Sequence, residues 1–159
     1  RASGLYVTEP VGGPADQPDY INAVLEMRTS LDPYALLALC QQVEAHHHRV
    51  RLVRWGPRTL DIDVITYDDL VSDDPVLTLP HPRAHERAFV LVPWEQANPQ
   101  AVIPSRDAAT GEQTRHLVAD LARRVRTADE RAGVNAVRFM RDMNLPKNLF
   151  DSGAESEGV

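Results

Sequence analysis

Only one cysteine, Cys40, occurs among the 159 residues. An intramolecular disulfide is therefore excluded, and such sparing use of cysteine fits a reducing cytoplasm. Cys40 reads as a packing residue in a helix rather than a reactive thiol. Long apolar runs are missing as well. No stretch approaches the ~20 residues of a membrane span, and no secretory leader is visible. Positive charge is outweighed, with 17 Lys and Arg against 23 Asp and Glu and a net charge of -6. A nucleic-acid role thus has no electrostatic support overall. A Gly-x-x-x-x-Gly-Lys-Ser/Thr loop is also absent, which argues against a Walker-type nucleotide cradle. What is present is ordinary for a globular protein, 43% hydrophobic and 25% charged residues. The length suits one domain with a real core.

Along the chain, residues 5 to 8 read as the end of a strand, and the Pro- and Gly-rich residues 9 to 19 as a loop. Residues 20 to 29 read as a strand. Tyr20, Asn22, Val24, Glu26 and Arg28 share one face; Ile21, Ala23, Leu25 and Met27 share the other. Ser30 or Asp32 caps a helix with Pro33 in its first turn, running to about His48, with Leu36, Leu37, Cys40 and Val43 inward and Leu39 widening that face. A basic loop follows, then a strand over 60–67, a turn at Asp68-Asp69 and a small hairpin from Leu70-Val71 and residues 76–79. Pro80-His81-Pro82 breaks the chain. Residues 83–96 read as one helix or as two interrupted at Pro93, and 98–113 as polar loop. Residues 114–126 read as an amphipathic helix with Leu117, Leu121 and Val125 inward. Beyond Arg131 little pattern remains, and residues 151–159 read as disordered. The three histidines His46-His47-His48 read as a solvated helix end, because consecutive helical side chains diverge and cannot easily share one ion.

Chemistry concentrates at Asp61-Ile62-Asp63. Residues two apart on a strand point to one side, with Cα atoms ~6.5 Å apart. Two carboxylates so placed can hold a pair of magnesium ions ~3.5–4 Å apart, the spacing of two-metal phosphoryl transfer. The apolar neighbours Leu60, Ile62, Val64 and Ile65 suggest a buried strand, where unpaired acids would be costly without a cationic partner. Taken alone, Asp-x-Asp reads rather as two solvent-facing acids on an edge strand. The context shifts the balance. Arg49, Arg51, Arg54 and Arg58 lie just upstream, in a loop that also carries Trp55 and Gly56-Pro57. Guanidinium groups beside a metal-binding pair suit a polyphosphate better than they suit a merely solvated basic surface.

The run Arg54-Trp55-Gly56-Pro57-Arg58-Thr59-Leu60-Asp61-Ile62-Asp63-Val64-Ile65 resembles the signature of the 6-hydroxymethyl-7,8-dihydropterin pyrophosphokinase family. Asp16-Gln17-Pro18-Asp19-Tyr20-Ile21-Asn22 is similar to the family's pterin-binding segment, and Leu79-Pro80-His81 with Arg87-Ala88-Phe89 supplies a third match. The resemblance covers roughly residues 4 to 104. It implies transfer of the terminal diphosphate of ATP to 6-hydroxymethyl-7,8-dihydropterin, giving AMP and the pterin diphosphate, in folate biosynthesis. It implies that Asp61 and Asp63 hold two magnesium ions and act catalytically with Arg49 and Arg58. Thr8, Val11, Tyr20, Asn22, Trp55 and Phe89 would form the pterin pocket, with Trp55 and Phe89 stacking on the two sides of the ring. Gln41, Glu44, Arg49, Arg51, Arg58, Ile62, Thr78, His81 and Arg87 would contact the nucleotide. No nucleic acid or membrane is implied as a partner. A fusion or association with another folate-pathway enzyme is.

The sequence also departs from the family. Leu52 stands where a basic residue is common after the second loop arginine, and Pro82 where some members have Tyr. The family's fold is an α+β, ferredoxin-like β-α-β-β-α-β sandwich with an added small hairpin. Its first strand, Gly-Ser-Asn turn and long helix have no counterpart after Arg1. The expected organisation is a pyrophosphokinase domain over 1–127, lacking that first unit, and a C-terminal extension over 128–159. On this reading the chain is inactive alone and gains activity when the unit is restored. The rival readings are an inactive ferredoxin-like fragment that binds a partner through its sheet edges, and a different nucleotidyl or phosphoryl transferase built on the same acid pair.

Overall fold

The computed structural model describes residues 1–9, 18–47, 60–131 and 137–144. They form a mixed α and β fold of small antiparallel sheets and three α-helices. Strand β1 (Leu5–Thr8) pairs antiparallel with β2 (Tyr20–Asn22), Tyr6 opposite Asn22 and Thr8 opposite Tyr20. On its other side β1 pairs with β7 (Val137–Arg141), so the sheet order is β2-β1-β7. The expected strand over 20–29 is therefore shorter as a regular ladder. Its pairing nevertheless continues irregularly, through an Ala2–Leu25 bridge and a Ser3 N–H donated to the Val24 carbonyl at 2.9 Å. Side chains alternate in exposure from Tyr20 to Met27 as a period of two requires. Tyr20, Asn22, Val24 and Glu26 are half-buried, whereas Ile21, Leu25 and Met27 face outward.

Helix α1 (Pro33–His46) starts where the sequence places it. Asp32 accepts the amides of Tyr34 and Ala35 at 3.0 and 3.1 Å, and Pro33 occupies the first turn, where its missing N–H costs nothing. Leu36, Leu37 and Cys40 are half-buried; Leu39 and Val43 stay exposed, against expectation, because the central core lies under other elements. That core joins Ala84, Val90, Leu91, Trp94, Ala101, Ile103, Val118 and Ala122. It sits beneath α2 (Ala88–Ala97), which packs on α3 (Val118–Arg131) and lies against β1, β2 and β7. Arg126 of α3 donates to Glu95 of α2 at 2.6 Å.

Several expectations need correction. The break in the 83–96 region falls at Arg87, between a short 3-10 turn over Ala84–Glu86 and α2, not at Pro93. Pro93 is buried within α2, its side chain retained in the packing despite the lost amide. The expected polar loop over 98–113 contains β5 (Val102–Arg106), paired with β6 (Gln113–Leu117). Asp107 drives the connecting turn: its carboxylate accepts the amides of Ala109 and Thr110 at 2.9 and 2.7 Å, and Gly111 takes a positive φ of 73°. Leu117 consequently ends a strand and is exposed. The helix starts one residue later, with Val118, Ala122 and the partly buried Leu121 and Val125 turned to the core. The small hairpin forms two residues beyond its expected start, as β3 (Ser72–Asp73) and β4 (Thr78–Leu79). The Leu79–Pro80 peptide after it is cis. The patternless stretch past Arg131 contains β7. Residues 151–159, expected to be disordered, lie outside the described residues.

Residues 60–67 form no strand ladder among the described residues. Isolated bonds anchor the segment instead. Glu44 Oε1 accepts the Ile62 amide at 2.8 Å, the Ile65 carbonyl accepts the His81 amide at 2.8 Å, and the Tyr67 hydroxyl donates to the Leu31 carbonyl at 2.8 Å. Exposure still alternates: Leu60, Ile62 and Val64 are half-buried, Asp61 and Asp63 exposed.

Candidate active site

The structure gathers the expected site residues into two groups. One lies on the 60–67 segment and the turn that follows β4. Asp61 and Asp63 share the open side of that segment, and so point the same way as the spacing required. The buried setting expected for them is not what the structure shows. The apolar residues between and beside them are turned inward, and the acids face out.

Two cationic or polar groups converge on Asp63. Arg87 Nη1 lies 3.7 Å from Asp63 Oδ2, and His81 Nε2 lies 4.0 Å from the same oxygen. Both come from the chain break after β4. The cis Leu79–Pro80 bond leads directly into His81, whose amide bonds to Ile65, and Arg87 sits between the 3-10 turn and α2. The Arg83 amide donates to His81 Nδ1 at 3.2 Å. An accepting Nδ1 leaves the neutral ring's proton on Nε2, the nitrogen that faces Asp63. Burial pushes the His81 pKa down, Arg87 adds to that, and Asp63 opposes it. Arg87 also lies over Phe89, its guanidinium carbon 5.4 Å from the ring centroid, which sets a cation against an aromatic face.

The second group lies on β1 and β2. Thr8 is buried, and its hydroxyl accepts the Asn22 side-chain amide at 2.8 Å. Tyr20 is opposite Thr8 and half-buried. This amide and hydroxyl pair, beside an aromatic ring, offers the donor–acceptor edge and flat apolar face that a heterocycle needs. Sequence reasoning missed Arg138, which donates to Asp19 at 2.9 Å, next to Tyr20. The only signal was the alternation of apolar and basic residues in Val137-Arg138-Phe139, too short to mark a strand by itself.

Gln41 lies exposed on α1. The Thr78 hydroxyl on β4 donates to the Asp74 carbonyl at 3.0 Å. Glu44 and Ile62 are joined to each other. Val11, Arg49, Arg51, Trp55 and Arg58 lie outside the described residues, as does His48. Among the described residues no group of three or more His, Cys, Asp or Glu side chains is placed to hold a metal. The Asp61–Asp63 pair offers hard carboxylate oxygens on one open face, the donor chemistry that magnesium takes up together with water and phosphate oxygens. No helix among the described residues is long and apolar enough to cross a membrane.

Residues 1–99 match the family described as 7,8-dihydro-6-hydroxymethylpterin-pyrophosphokinase (HPPK). A 2-amino-4-hydroxy-6-hydroxymethyldihydropteridine pyrophosphokinase of Haemophilus influenzae is 43% identical over 108 residues, 68% of this chain and 67% of that protein. The protein of the same name from Bacillus subtilis is 40% identical over 113 residues, 71% of this chain and 67% of that protein. The folic acid synthesis protein fol1 of Schizosaccharomyces pombe is 33% identical over 153 residues, 96% of this chain but 21% of that longer protein. The match over 1–99 takes in the described acids Asp61 and Asp63, the residues His81 and Arg87 that converge on Asp63, and the Thr8–Asn22 pair, and on these grounds the chain belongs to the 7,8-dihydro-6-hydroxymethylpterin-pyrophosphokinase family.

Proposed function

We propose that this chain transfers diphosphate from ATP to 6-hydroxymethyl-7,8-dihydropterin, giving AMP and the pterin diphosphate, a step of folate biosynthesis. The observation that carries the reading is the convergence of Arg87 and His81 on Asp63, beside a second exposed acid on the same face. Asp61 and Asp63 would hold two magnesium ions. When bound, these supply charge neutralisation on the phosphates and acidify the attacking hydroxyl. Arg87 and His81 orient phosphate oxygens, joined by Arg49, Arg51 and Arg58; Gln41, Ile62 and Thr78 complete the nucleotide side. Thr8, Val11, Tyr20, Asn22, Trp55 and Phe89 hold the pterin. Most of the catalysis is then positioning and charge stabilisation, since an in-line displacement at phosphorus asks for little covalent chemistry from the protein.

The finer architecture assigned with this reading is ferredoxin-like. It is supported by the antiparallel β1–β2 pair with α2 packed on it and α3 behind. A further strand between β2 and residues 60–67 would give that segment the ladder it lacks among the described residues. A single cysteine supports a cytoplasmic setting. Fusion or association with another folate-pathway enzyme is supported by the alignment of almost the whole chain to a fifth of the fission-yeast protein.

The test begins with calorimetric titration of ATP with and without magnesium; the reading expects strong magnesium dependence. Nucleotide products are then identified for the chain, and for the chain preceded by the strand-helix unit of a relative, with the pterin supplied. AMP together with pterin diphosphate is the expected outcome, in the extended form at least. ATP binding indifferent to magnesium, or ADP as the product, would overturn the reading.

A further inference from the structure

Glu44 is the one buried residue of α1, 2% exposed, and one of three buried polar side chains among the described residues. A buried carboxylate is costly unless its oxygens are occupied. Its Oε1 accepts the Ile62 amide at 2.8 Å. Ile62 stands between Asp61 and Asp63. We propose that Glu44 is a positioning residue for the acid pair, acting through the Ile62 peptide, and is not a nucleotide contact. The inference rests on the assignment of Asp61 and Asp63 as metal ligands.

In a strand, the neighbouring ladder fixes each peptide plane, and the planes fix which way successive side chains point. Residues 60–67 have no such ladder among the described residues, yet exposure alternates from Leu60 to Val64 as if they had. The plane at Ile62 is held by Glu44. Three residues on, the Ile65 carbonyl is held by the His81 amide at 2.8 Å. These two anchors bracket Asp63 and set its direction relative to Arg87 and His81. The acceptor oxygen sits on a helix whose start is itself capped by Asp32. At 2% exposure Glu44 offers a nucleotide no surface to touch.

Three substitutions separate this role from an electrostatic one. Glu44→Gln keeps an acceptor oxygen at the same reach but loses the charge. Glu44→Asp keeps the charge but withdraws the acceptor by one methylene. Glu44→Ala removes both. The first readout needs no activity: exchange of the Ile62 amide proton followed by NMR. Protection is expected in the parent and in Glu44→Gln, and loss of protection in Glu44→Asp and Glu44→Ala. The second readout is the magnesium concentration that half-saturates ATP binding. It should rise about 10- to 100-fold in Glu44→Asp and Glu44→Ala, the range for groups that orient a metal's ligands. Glu44→Gln should restore it to near the parent value, with magnesium-free ATP binding alike in all three.

The opposite ranking, Glu44→Asp close to the parent and Glu44→Gln impaired, overturns the proposal. So does weakening of ATP binding to the same degree with and without magnesium. If Glu44→Ala fails to fold, the Gln and Asp pair still decides. If Asp63→Ala leaves the magnesium dependence intact, the metal assignment fails. The role of Glu44 in fixing the segment then stands or falls on the Ile62 amide alone.

Discussion

Replacing Asp63 by alanine should separate activity from stability cleanly. Asp63 faces Arg87 at 3.7 Å and His81 at 4.0 Å, but its side chain is 45% exposed. An ion pair this open contributes about 0–1 kcal/mol. In a domain of this size, 1 kcal/mol moves Tm by about 2–4 °C, so Asp63→Ala should lower Tm by about 4 °C at most. Leu91, 0% exposed in the core, provides the contrast. Leu91→Ala should cost about 2–5 kcal/mol through lost transfer energy and a cavity, several times the shift at Asp63. Function should rank the other way. Disturbing a group that merely orients a metal ligand costs about 10- to 100-fold, and a ligand itself should exceed that. Asp63→Ala should therefore lose more than about 100-fold in AMP formation at saturating magnesium, measured in the extended form beside scanning calorimetry of each variant. Near-normal turnover would refute the metal assignment. A fall in Tm as large as that of Leu91→Ala would show that Asp63 is a structural residue.

Arg58→Ala should weaken diphosphate transfer more than pterin binding. A lost charge-assisted contact is worth roughly 1.5–3 kcal/mol, and equal losses in pterin affinity and turnover would contradict its placement on the phosphates. Gly4→Ala should detach β7 from β1. A Cβ there would lie 2.6 Å from Phe139 Cε2 and 2.9 Å from the Arg141 carbonyl oxygen, and the second is backbone that cannot step aside alone. A cost of about 1–3 kcal/mol and faster proteolysis of the C-terminal segment are expected; unchanged Tm and proteolysis would refute it. Burial, reinforced by Glu44, pushes the Cys40 thiol up. Its thiolate is therefore scarcer at pH 8 than that of free cysteine, whose pKa is about 8.5. Alkylation by iodoacetamide should be slower than that of free cysteine at the same pH; a faster reaction would contradict the burial.

Local chemistry was legible in the sequence, and long-range pairing was not. The Asp32 cap, the Pro33 start, the turn at Asp68-Asp69 and the two-sided pattern of residues 20–27 depend on neighbours in the chain, and all appear in the structure. The 60–67 segment carried every local mark of a buried strand, but a strand also needs a partner ladder, and a sequence cannot display one. The β5–β6 hairpin hid behind Pro104 and a run of polar residues, its outer strand exposed along its whole length. Leu117, Leu121 and Val125 fit a helical period, yet Leu117 belongs to β6 because its pairing with Val102 outweighs helical spacing. Of the candidate site, residue types and faces were readable. The role of Glu44 was not, because only the fold brings it to Ile62.

The pairing of β1 with β7 sets a waiting time during synthesis. Tyr6 meets Phe139 edge to face at 5.5 Å, from opposite ends of the described chain. A ribosome adding about 5–20 residues per second takes roughly 7–26 s to travel the roughly 130 residues between them. Until then β1 has, among the described residues, β2 alone beside it, and a two-stranded ribbon is marginal in water. Its other edge is an open row of amides and carbonyls that another nascent chain could join. Any shortened product that ends before Val137 keeps that edge permanently. Loss of the last strand would thus be felt first as poor solubility of newly made protein, before any change in catalysis could be measured.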